Sequence, residues 1–69
     1  MNKQWVGDVG PEDDFGDKIE NVFYDGMTRQ GPWAIMTPLS WRTHGVGQVG
    51  LGRAQKYALT EGRWLKVEG

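Results

Sequence analysis

Ser40 and His44 stand four residues apart in this 69-residue chain, one helical turn, and Asp13 or Asp14 could supply the orienting carboxylate of a nucleophile–base–acid set. The pattern falls short of an enzyme. A serine followed by histidine at that spacing is common by chance, no nucleophile elbow surrounds Ser40, and a domain of this size has little room for a substrate cleft. We therefore expect no catalytic residue. His44 reads instead as a helix-end residue whose cationic form complements the C-terminal dipole.

Thr37 and Ser40, in MTPLSWRTHGVG, have the spacing of a zinc-binding cysteine pair without its chemistry, because neutral hydroxyls are poor zinc donors. The chain contains no cysteine, which excludes disulfides, thiolate clusters and a cysteine nucleophile. The glycine-rich GVGQVGLGR exposes backbone amides and ends on Arg53, as a phosphate loop would. It lacks the Gly-Lys-Ser/Thr that opens a helix and leads into strand-like RAQKYALT, so it reads as a connection. No cofactor is implied.

Two binding chemistries are left. Residues 1–26 carry seven acids against two lysines, net −5, and residues 27–69 carry six cations against two acids, net +4. In the basic half, Arg53, Lys56, Arg63 and Lys66 are interleaved with Tyr57, a combination that suits phosphate contact with base stacking. Against nucleic acid stand the acidic arm and a sequence pI near 5.7. A protein partner is the preferred reading, since Trp, Tyr and Arg dominate interface hot spots. Trp33, Trp41 and Arg42 are the candidates. Trp33 leads because a bend at Gly31-Pro32 could present it.

These residues must be positioned by few elements. Eleven glycines and four tryptophans predict many tight turns and a core of a few large aromatics. Residues 1–18, with Gly7, Gly10, Pro11 and Gly16 among acids, read as an irregular acidic arm anchored through Trp5. Residues 19–36 read as a first hairpin, with strands Ile19 to Tyr24 and Met27 to Met36 around a type I′ turn at Asp25-Gly26, and Gly31-Pro32 bending the second strand or confining it to an edge. Residues 37–45 read as a short helix with Thr37 as N-cap, Pro38 at N1 and Gly45 just past its end. Residues 45–52 form a glycine-rich loop, and 53–68 a second hairpin around Glu61-Gly62.

The string DG-x-T-x-x-GPWAIM, followed by a paired-position turn, HGVG, a glycine-rich run, QKY and GRWLKVEG, resembles small zinc-ribbon-like proteins, many of them phage-encoded, with no assigned role. The resemblance covers residues 12–69 and is most specific from Asp25 through Tyr57. It implies one CxxC before the first hairpin and another directly after the GPWA-x-M strand. Those ligand positions fall on Glu12 and Phe15 and on Thr37 and Ser40, so all four ligands are replaced. The glycine-rich run is one residue longer than the family's, and Ala54 stands where another glycine is expected. Structural zinc can contribute about 10–16 kcal/mol to the folding of small metallopeptides, so something must stand in for it. The expectation is that Phe15 fills the ligand cavity, that the Thr37 and Ser40 hydroxyls bond nearby backbone groups, and that Trp5, Trp33, Trp41 and Trp64 supply burial. Glu12 and His44 alone would leave a tetrahedral site at least two ligands short.

The expected molecule is thus a single α+β domain over 1–69, a small zinc-ribbon-like fold without metal, with two β-hairpins and one short helix. The resemblance implies a phage-encoded binding module docking on a host or phage protein, in the host cytoplasm or on a virion. No apolar run of membrane-spanning length and no secretion signal interrupts the sequence.

Overall fold

The computed structural model describes residues 4–5, 7–50 and 52–69. Residues 1–3 and 6 of the expected arm, and residue 51 of the glycine-rich run, lie outside the described residues. The element order is β1 (Val22–Met27), β2 (Trp33–Met36), α1 (Pro38–His44), β3 (Ala54–Thr60) and β4 (Arg63–Glu68). The strands form one antiparallel sheet in the order β2-β1-β3-β4. The two hairpins are therefore halves of one sheet, joined where β1 pairs with β3 from Val22↔Ala58 to Gly26↔Ala54.

The first turn is not at Asp25-Gly26. Both residues lie inside β1, where Gly26 pairs with Ala34 on one side and Ala54 on the other. The chain reverses at Thr28–Pro32 instead. Gly31 adopts φ +113° there, and the Thr28 amide and hydroxyl both donate to the Pro32 carbonyl at 3.0 and 2.8 Å. Gly26 is needed for close approach. A Cβ on it would overlap that of Ala54 and lie 2.9 Å from the Ala54 Cα. Ile19 sits before β1, buried in the core, with its amide bonded to the Pro11 carbonyl at 2.9 Å. The second hairpin turns at Glu61-Gly62, where φ values of 51° and 79° give the paired left-handed residues of a type I′ turn.

Strand alternation divides the side chains between two faces. Phe23, Tyr57, Trp64 and Ile35 share one, as the pairs Phe23↔Tyr57, Leu59↔Trp64 and Asp25↔Ile35 require. Residues from the N-terminal arm cover it. Ile19, Phe23 and Tyr57 form the buried cluster, with Trp5 and Val9 packed on top. Trp5 meets Phe23 and Tyr57 edge-on, with ring centroids 5.3 Å apart in each case. The opposite face carries Tyr24, Ala34, Met36 and Ala54, and α1 rests on its β1–β2 half.

Helix α1 begins and ends on local signals. Thr37 caps it, its hydroxyl oxygen accepting from the Ser40 amide at 3.2 Å, and Pro38 follows in the first turn. Gly45 is the C-cap in an extended conformation (φ −74°), not a left-handed one. Glycine is required by packing: a Cβ would run into the Trp41 ring, 2.6 Å from its Cζ3. That ring stacks on Tyr24 at 4.6 Å and 5°.

Both edges of the sheet are closed by the N-terminal segment. At β4, the Trp5 amide donates to the Trp64 carbonyl at 2.8 Å beside the bridge Gln4↔Leu65. At β2, Asp14 takes both outward groups of Ile35: its amide donates to the Ile35 carbonyl at 3.0 Å and its carboxylate accepts the Ile35 amide at 2.8 Å. Unpaired edges invite association, and here the arm occupies them. Among the described residues, no helix is long and apolar enough to cross a membrane.

Candidate functional site

Two features organise the surface around β2. One is a double turn tied by a carboxylate. The segment 13–17 lies along the face of α1 that carries Thr37, Ser40 and His44, the residues a helix places in one row. Asp13, only 7 % exposed, is the node. Its Oδ1 accepts from the Phe15 and Asp17 amides at 2.9 and 2.8 Å, closing its own turn. Its Oδ2 accepts from the Thr37 amide at 2.8 Å, and the Ser40 hydroxyl donates to the same carboxylate. The Thr37 hydroxyl donates to Asp17 Oδ2. At the far end, the Phe15 ring lies flat on His44, centroids 4.1 Å apart and planes 7° from parallel.

This arrangement corrects two expectations at the positions that the resemblance assigns to ligands. Phe15 does not fill a cavity; it is 42 % exposed and covers His44. The second is corrected in part: the Thr37 hydroxyl does bond backbone, accepting from the Ser40 amide at 3.2 Å, but both hydroxyls donate to the carboxylates of Asp13 and Asp17. Glu12 is exposed in a bridge to Lys18. An aromatic ring and two committed hydroxyls make a donor set that does not suit zinc. Among the described residues, no three histidine, aspartate or glutamate side chains converge as metal ligands.

Burial is the largest single influence on the Asp13 carboxyl and pushes its pKa up. The hydrogen bonds from Ser40, Thr37, Asp17 and Phe15 together outweigh it, leaving Asp13 below the ordinary aspartate value. A carboxyl depressed in the folded state contributes stability that is present above its unfolded pKa and lost as pH falls through the folded one.

The second feature is Trp33, at the start of β2 and 48 % exposed. Its indole N–H donates to Asp25 Oδ1 at 2.7 Å, fixing the ring on the face opposite α1. On that same face, the Tyr57 hydroxyl donates to Gln55 Oε1 at 3.2 Å. Burial, then the nearby negative charge of Asp14, raise the Asp25 pKa, against the hydrogen bond from Trp33. The sign is opposite to that of Asp13. A raised carboxyl favours the fold while protonated, and that contribution is lost as pH rises through the folded pKa. Asp25→Asn keeps an acceptor for the indole and removes the charge. We expect it to gain about 0.5 kcal/mol at pH 7 in urea unfolding, a gain that shrinks as pH falls through the raised pKa of Asp25.

The remaining candidates are dispersed. Trp41 is half-buried on Tyr24 and Arg42 is exposed on α1, both on the helix side, so neither shares a surface with Trp33. Arg42 instead lines an open groove of about 440 Å³ with Lys18, Val22, Pro38 and Leu39. Ser40 and His44 do not line it; Ser40 is buried against Asp13 and His44 lies under Phe15. The four cations considered for nucleic-acid contact do not form one face. Lys56 lies over Tyr24 and pairs with Glu68 at 3.6 Å on the helix side, and Lys66 is opposite Tyr57 on the other. Arg63 flanks the second turn, and Arg53 donates to Gln48 Oε1 at 2.7 Å. Tyr57 is 6 % exposed in the core and offers no ring for base stacking.

The roles of Asp14 and Asp25 are not visible in the sequence, where Asp14 falls in the acidic arm and Asp25 in a turn, and Asp13 reads only as an orienting carboxylate for Ser40 and His44. The one available signal was the composition of Asp13-Asp14-Phe15-Gly16-Asp17, in which a leading aspartate can bond amides of its own turn. Comparison with protein-family models, with curated proteins and with solved structures gives no match.

Proposed function

We propose that this chain is a non-enzymatic protein-binding module that presents Trp33 to its partner. The observation that carries the reading is the state of that side chain: a large aromatic, about half exposed, projects from an edge strand and is held in one orientation by Asp25. A pre-fixed aromatic loses little freedom on binding, which is what makes tryptophan an effective anchor. The scatter of Arg53, Lys56, Arg63 and Lys66 favours no nucleic-acid reading, and the engagement of Ser40 and His44 elsewhere favours no hydrolytic one. From the resemblance alone, the partner is a host or phage protein, met in the host cytoplasm or on a virion.

The test is affinity capture from host-cell extract with the wild-type chain and Trp33→Ala side by side. Truncation of an anchor typically costs 2 kcal/mol or more, so we expect at least a roughly 30-fold loss of the captured protein. Equal capture by both chains, or recovery of nucleic acid alone, overturns the reading.

A further inference from the structure

Trp33 does not stand alone on its surface. Its indole N–H is bound to Asp25 Oδ1. Asp25 pairs across the sheet with Ile35, and the outward amide of Ile35 is held by Asp14 Oδ2 at 2.8 Å. The two carboxylates therefore flank one residue of β2, within two positions of the exposed ring. Neither has a cationic partner among the described residues, where the ion pair found is Lys56–Glu68 on the other face. The 26 residues that contain both acids carry a net charge of −5.

We propose that Trp33, Asp25 and Asp14 form a receptor for a cationic side chain, arginine foremost, presented by the partner protein. The inference rests on the protein-binding reading and specifies its chemistry. The indole face attracts a cation through its quadrupole, and Asp25 at its N–H edge, with Asp14 two residues along β2 at Ile35, supplies the countercharge. Arginine fits better than lysine because its planar guanidinium stacks on the ring while its fork of N–H groups reaches a carboxylate. The repulsion between Asp14 and Asp25 points the same way, since an incoming cation relieves it.

The probe is the acetylated, amidated peptide Ala-Arg-Ala-Arg-Ala, titrated into the full chain while the indole N–H resonance of Trp33 is followed by NMR. Trp33→Phe assigns that resonance by removing it. The same sequence with citrulline in place of arginine is neutral and nearly isosteric. We expect a saturable shift with the arginine peptide and none with the citrulline peptide. Asp25→Asn, which keeps an acceptor for the indole N–H, should weaken the arginine peptide at least about fivefold, and raising the salt from 50 to 300 mM should weaken it further. No saturable shift, equal shifts with both peptides, or undiminished binding to Asp25→Asn overturns the proposal. If Trp33→Ala has still abolished capture from extract, the protein-binding reading survives and only the cationic preference falls.

Discussion

Asp13→Ala lowers the unfolding free energy by about 3 kcal/mol at pH 7, the largest loss we expect from removing any one polar side chain. Hydrogen bonds to a charged group are worth about 1.5–3 kcal/mol each, and a buried donor left without an acceptor carries its own desolvation cost. The substitution strips the acceptor from three amides, those of Phe15, Asp17 and Thr37, and from the Ser40 hydroxyl. Their energies do not add, because water reaches the outer part of the turn once the carboxylate is gone. A domain of this length has a total stability of roughly 3–10 kcal/mol, so the variant sits at or near the edge of folding. Urea unfolding followed by tryptophan fluorescence measures the change. A loss below about 1 kcal/mol would mean that segment 13–17 is held by something other than its aspartate.

Gly26→Ala is the second large effect, and its cause is steric. The new Cβ would overlap Ala54 Cβ, and it would lie 2.9 Å from the Ala54 Cα and 3.0 Å from the Arg53 carbonyl oxygen. Backbone atoms cannot rotate away, so β1 and β3 must separate in the middle of the sheet. Overpacking of this kind costs about 1–3 kcal/mol, and the backbone contacts place Gly26→Ala at the upper end. In a domain of this size, 3 kcal/mol corresponds to a fall in melting temperature of roughly 12–24 °C. Adding Ala54→Gly removes the Cβ–Cβ overlap but not the contacts with backbone, so the double variant should recover part of the loss. A thermal melt of Gly26→Ala that matches wild type would contradict the pairing of Gly26 with Ala54.

The contrast between what could be read ahead and what could not follows the range of the interactions involved. Thr37, Pro38 and Gly45 delimit α1 through contacts made within a few residues, and a sequence displays those directly. The Glu61-Gly62 turn is equally local. Asp25-Gly26 misled because glycine has two uses. Its dihedral freedom is a local property, but its missing Cβ matters only when another strand passes over it, and Ala54 is 28 positions away. The same distance hides Asp13. A run of acids ordinarily means a solvated surface; the Ser40–His44 spacing suggests Asp13 or Asp14 only as an orienting carboxylate, and nothing near Asp13 announces that the Thr37 amide, 24 residues on, will donate to it. The acids of the first half are likewise not spent on the arginines and lysines of the second: Asp13, Asp14 and Asp17 hold backbone amides and the Thr37 and Ser40 hydroxyls.

The exposed positions follow a simpler logic. Among the large apolar side chains, Trp33, Phe15, Leu39, Leu59 and Val67 stay exposed, while Phe23 and Met36 are fully enclosed on opposite faces of the sheet. Chain reversal at Thr28–Pro32 leaves Trp33 at the start of an edge strand, with sheet on one side only. Burial could not have been assigned to Trp33 or to Trp64 from composition, because both stand near the start of an edge strand and differ in what covers them: Trp64 packs on Phe23 beside Trp5.

A single carboxylate, that of Asp13, joins the turn at 13–17 to the start of α1. The most direct measurement of this link is the unfolding free energy of Asp13→Asn against wild type as a function of pH. Asparagine keeps the shape but offers one amide group where two acceptor oxygens are needed. We expect a deficit of about 2 kcal/mol near pH 7 that narrows as pH falls through the depressed pKa of Asp13, where wild type loses the same interaction. A variant as stable as wild type at pH 7, or a deficit unchanged down to pH 2, would contradict this role of Asp13.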